Sequence, residues 1–143
     1  MLTGPEECVE EFRKGYNCSQ ALLATYSKDV GIDKETALKV ASAFGGGMGC
    51  SGSVCGAATG ALMVLGLRHG NASAERGQSR SYERAKEFLA RFKERNGSTL
   101  CKELLGCDIS TAEGMERATK ESLFTAVCPK IVKDAAVIVE GML

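Results

Sequence analysis

The sequence predicts an all-α fold, a helical bundle of about six to eight helices making one domain over residues 1–143. Three observations carry this. Apolar residues recur every three or four positions through most of the chain. Cap residues and glycines punctuate these stretches. No alternating run reads convincingly as a strand.

The elements follow in order. Pro5 at a first-turn position, with Glu6 and Glu7 beside it, suits a helix start, and Gly15 ends that helix. Asn17 caps a second helix from Cys18 to about Asp29, with Leu22, Leu23 and Tyr26 on one stripe. Gly31 closes it, and Asp33 caps a third helix carrying Ala37, Leu38, Ala41 and Phe44. Gly45 to Gly52 is too glycine-rich for helix. Ser53 restarts a helix through about Leu67, so uniformly small or apolar that it reads as the buried centre. Its Gly56 and Gly60 share a face and let another backbone come close. Ala74 to Arg95 is a long amphipathic helix stopped by Gly97. A short helix spans about Leu100 to Leu105. Ser110 and Glu113 fit a capping box for a polar helix to about Lys120. The last helix starts at Pro129 and runs to about Glu140.

Charge and length exclude several functions. Eighteen basic and 18 acidic side chains give zero formal net charge, so the electrostatic footprint of a nucleic-acid binder is missing. The longest largely apolar stretch, Ala57 to Leu67, falls well short of the roughly 18 residues of a membrane span. Met1 to Glu7 shows neither the basic start nor the apolar run of a secretory signal, and a cytoplasmic protein is expected.

Seven cysteines stand out: Cys8, Cys18, Cys50, Cys55, Cys101, Cys107 and Cys128. In a reducing compartment cysteines more often bind metal or react than form structural disulfides. Any one of them taken alone is equally well explained as a small buried hydrophobe. Four fall at expected helix beginnings. Cys18 follows Asn17, Cys55 lies two residues after Ser53, Cys101 follows a turn, and Cys128 precedes Pro129 at an N-cap position. Unpaired N–H groups and the helix dipole favour thiolate there. Thiolate is the form that binds metal or attacks a disulfide.

The same residues carry a resemblance. Phe44-Gly45-Gly46-Gly47-Met48-Gly49, then Cys55-Gly56-Ala57-Ala58-Thr59-Gly60, resembles the core of a family of redox-active proteins. That family is named for one cysteine, a GCAxxG-type motif and two further cysteines, and the motif here reads CGAxxG. Cys18 in Asn17-Cys18-Ser19-Gln20-Ala21 matches the first cysteine. Cys101 in Cys101-Lys102-Glu103-Leu104-Leu105-Gly106 matches the third, and Cys128 in Cys128-Pro129 the fourth. The resemblance implies a helical protein with a redox or metal-linked role. Related cysteine domains also resemble part of the split-Soret type of cytochrome, where such a set suits an iron–sulfur cluster. With no C-x-x-C-H, covalent c-type haem is not expected.

The leading expectation is therefore an iron–sulfur cluster of the 2Fe-2S type on Cys18, Cys55, Cys101 and Cys128, serving electron transfer or redox sensing. The alternatives are a metal-free dithiol–disulfide oxidoreductase or thiol sensor, and an all-cysteine zinc site. A redox partner protein is implied without being identifiable, and whether the chain is an enzyme stays open. The small-residue helix and the apolar last helix permit a homodimer. The glycine loop reads as a tight connector or as an anion-binding nest. It is neither a P-loop nor a dinucleotide fingerprint, because no Gly-Lys-Ser/Thr follows it and no strand precedes it. His69, the single histidine, reads as a turn residue or dipole partner rather than a base. Cys50 and Cys107 read as packing or resolving thiols, and Cys8 as packing.

Overall fold

The computed structural model describes residues 1–143 and is all-α. Its helices are α1 (Gly4–Arg13), α2 (Cys18–Tyr26), α3 (Lys34–Ala41), α4 (Gly56–His69), α5 (Ser79–Asn96), α6 (Cys101–Leu105), α7 (Ala112–Lys120), α8 (Leu123–Ala126) and α9 (Cys128–Glu140). Two 3₁₀ turns, Lys28–Val30 and Ser42–Phe44, extend α2 and α3. The expected six to eight helices are present, and α8 is a single additional turn whose N-cap residue, Ser122, makes no side-chain capping bond. Ser122 starts it from a left-handed backbone with φ of 54°.

Most caps act as the sequence indicates. Asn17 accepts from the Gln20 N–H, and Gln20 returns a bond to the Asn17 N–H, a capping box. Asp33 caps α3 through the Thr36 N–H. Three boundaries move. Helix α4 begins at Gly56 rather than Ser53, because residues 53 to 55 are held extended against residues 99 to 101. Helix α5 begins at Ser79 rather than Ala74. The Asn71 side chain bonds the Ser73 N–H and the Gly77 carbonyl, and this holds the preceding segment as a loop. The cap of α7 is Thr111, which accepts from the Gly114 N–H. Ser110 instead bonds Asp108.

The core lies where α2, α4 and α9 meet and α1 and α5 close over them. Leu22, Leu23, Val64, Leu65, Phe88, Phe92, Val132 and Val139 are almost wholly buried. Helix α4 approaches α2 through its glycines. A Cβ on Gly60 would stand 2.7 Å from the Ser19 carbonyl oxygen, and one on Gly56 3.0 Å from the Ser19 N–H nitrogen. No side chain fits in that space, so the pairing depends on glycine. The close approach sets the start of α4, with Cys55 at its cap, against Cys18 at the start of α2. No helix is long and apolar enough to cross a membrane.

Candidate functional site

The four cysteines of the sequence pattern occupy helix starts, Cys18 as expected and the other three within a residue or two of the expected position. Cys18, Cys101 and Cys128 are the first residues of α2, α6 and α9, and Cys55 is the N-cap of α4. Main-chain bonds between distant segments set two of them. The Cys55 N–H donates to the Thr99 carbonyl at 2.8 Å, and the Cys101 N–H to the Ser53 carbonyl at 2.7 Å. These flank an isolated antiparallel bridge between Val54 and Leu100.

All four line one cavity of about 670 Å³. Cys18 lies within hydrogen-bonding reach of both Cys55 and Cys128. Cys101 stands apart from this group but feels the charge of Cys55 and Cys128. A Cβ on Gly47 would meet the Cys101 Cβ at 2.7 Å, so the glycine loop seats itself directly against Cys101. No three His, Cys, Asp or Glu side chains converge tightly enough to hold one metal ion. The sulfurs surround a space rather than a point.

The cavity's electrostatics are one-sided. Its lining includes no Asp, Glu, His or Lys, and Arg13 is its one formal charge. The starts of α2, α4 and α9 open onto it through Cys18, Cys55 and Cys128. These add partial positive charge.

The protonation states differ from the uniform thiolate expected at helix starts. Cys55 is held below the ordinary thiol range, chiefly because the Cys18 thiol bonds it, with the Ala57 and Ala58 N–H groups adding to the effect against the cost of burial. Cys18 is pushed well up by its bonds to Cys128 and Cys55, so it keeps its proton and acts as the donor. Burial pushes Cys101 up to about 12, and the neighbouring sulfurs add to this. Desolvation therefore outweighs the helix terminus at Cys101.

From Met48 onward the glycine loop is a tight connector. The N–H groups of Met48 to Ser53 all bond carbonyls inside residues 43 to 48, so they are not free to cradle an anion. Gly46, Gly47, Gly49 and Gly52 take positive φ, and so do Met48 and Cys50 at 69° and 61°.

The remaining residues separate cleanly. Cys50 is exposed at the cavity wall. Of its two readings, packing or a thiol beside a family cysteine, the exposed position on the cavity wall fits the second. Cys107 faces the Gly114 carbonyl at 3.6 Å, away from the cavity. Cys8 is packed in the core, where burial pushes its thiol up to about 12. His69 ends α4 and its Nε2 bonds the Met142 carbonyl at 2.8 Å, a role in anchoring the C-terminus.

This is the layout of a helical redox-type domain whose cysteines come together from separated helix starts. The profile of the family described as "Putative redox-active protein (C_GCAxxG_C_C)" matches residues 16–142, and the chain belongs to that family. Searches of curated proteins and of solved structures gave no match.

Proposed function

We propose that this redox protein carries an iron–sulfur cluster, of the two-iron type, on Cys18, Cys55, Cys101 and Cys128, and works in electron transfer or redox sensing with a partner protein. The observation that carries the reading is the placement of these four sulfurs around one cavity lined by no carboxylate or imidazole. An all-sulfur donor set matches the ligand preference of iron–sulfur clusters. Ligands spread around a cavity suit a group of several atoms better than one tetrahedral zinc ion. Arg13 and the helix starts offset the negative charge of four thiolates. When bound, such a cluster supplies one-electron chemistry. Protein purified without oxygen, or reconstituted with iron and sulfide, is expected to be coloured and to hold about two irons and two labile sulfides per chain. Replacing Cys18, Cys55, Cys101 or Cys128 with Ser lowers both. Colourless protein after reconstitution overturns the reading.

A second reading rests on Cys18 lying in reach of both Cys55 and Cys128. Cys55 is the readier thiolate, and it attacks a disulfide of a partner or a small molecule, releasing one thiol. Cys18 then loses its proton and displaces the second thiol, forming the Cys18–Cys55 disulfide. One disulfide is reduced and two protein thiols are oxidised. Metal-free protein titrating as a two-electron couple, with that disulfide found by mass spectrometry, supports this reading over the cluster.

A further inference from the structure

We infer that the cavity also binds an apolar organic anion of ring-system size, held by Arg13. The cavity has room for more than a redox centre. Its 670 Å³ corresponds to on the order of twenty waters, whereas the four-atom core of a two-iron cluster displaces only a few. Pockets for small organic molecules commonly span about 300–1,000 Å³ with apolar walls and a few placed polar groups. The lining meets that description, with Phe12, Leu104, Phe124 and Ile131 among its residues.

Charge then selects the ligand. Arg13 is the one charged side chain of the lining, and its carboxylate neighbour Glu10 lies outside that lining. The Arg13 guanidinium is not tied down. Its pairing with Glu10 is 3.6 Å long, with Arg13 64% and Glu10 50% exposed, and such pairs hold little energy. An anionic group can take Arg13 while the apolar body covers the aromatic and aliphatic wall. The inference needs the cavity and Arg13 but not the cluster, so it stands or falls separately from the redox reading.

The test uses anilinonaphthalene sulfonate, a fluorescent ring system with one anionic group, and phenylnaphthylamine, its neutral counterpart. Both are titrated into the full chain, first with all thiols reduced and then after iron–sulfide reconstitution. The colour and iron content report on the cluster, and the titrations report on the ligand site. The sulfonate is expected to bind once per chain and about tenfold more tightly than the neutral compound. Arg13→Gln removes that advantage and leaves the neutral compound unchanged. Arg80→Gln, in α5 and outside the cavity lining, keeps it. Bound sulfonate also slows alkylation of Cys50 at the cavity wall, a readout that needs no variant. Thr125→Trp, at an exposed position of the lining, blocks both compounds without changing the circular dichroism. Equal affinity for the two compounds, an Arg13→Gln variant that binds normally, or Cys50 labelling indifferent to the sulfonate would each overturn the inference.

Discussion

Gly60 of α4 lies so close to Ser19 of α2 that one added carbon would come within 2.7 Å of the Ser19 carbonyl oxygen. The next residue at that depth is Leu22, whose Cβ would stand at 2.8 Å. The neighbours are backbone and a packed core side chain, and neither yields easily. Gly60→Ala is therefore expected to destabilise the protein by about 1–3 kcal/mol. Gly66 on the same helix has nothing within 4 Å of a Cβ. Gly66→Ala should stabilise by about 0.5–1 kcal/mol, because alanine is the better helix former. Denaturant unfolding of the two variants, side by side, checks the opposite signs.

The buried Cys8 thiol makes stability fall at alkaline pH. Its ordinary value of 9.0 rises to about 12 in the fold. Between those values the unfolded chain loses the proton and the folded chain keeps it. Stability is thus fully present below pH 9 and declines toward pH 12, with a slope of up to about 1.4 kcal/mol per pH unit from this group. Cys8→Ala should flatten the decline, as read from urea midpoints at several pH values.

Cys55 should ionise below the ordinary thiol range. Its bond from the Cys18 thiol is the main cause of its lowered pKa, so Cys18→Ala raises the pH at which the Cys55 thiolate absorbance appears. Cys101, held up to about 12 by burial, contributes late in wild type and in the variant alike. A Cys55 ionisation unmoved by Cys18→Ala counts against the pairing.

Thr111 caps α7 and the adjacent Ser110 does not. Thr111→Ala should cost about 1 kcal/mol, the usual loss of an N-cap side chain. Ser110→Ala gives up a bond to Asp108 that is exposed on both sides, and its cost should be clearly smaller. Thermal melts of the two variants separate them.

The fold class and most helix caps were readable because their causes are local. Asn17 with Gln20, and Asp33 with Thr36, sit within one turn of each other. The start of α4 was not readable, because the main chain of Ser53 and Cys55 is held by Cys101 and Thr99, far away in sequence. Ser110 and Thr111 are both acceptable caps, and only the Asp108 bonds decide between them. For the cysteines, helix starts and the family pattern picked out four, and those four line one cavity. Their protonation was misjudged at Cys18 and Cys101. A helix start can be read locally, but the burial of Cys101 and the neighbours of Cys18 come from tertiary packing. Cys50 has no helix start to mark it, and reaches the cavity only through the path of the glycine loop.

The N–H groups from Met48 to Ser53 bond carbonyls of residues 43 to 48, and the core of 22 buried residues centres on helix–helix packing, with Cys55 as its one buried cavity thiol. Cys101 and Cys128 belong instead to a separate cluster of five buried residues, so the four sulfurs face one another across a seam between two packed units, and each unit must be in place for them to meet.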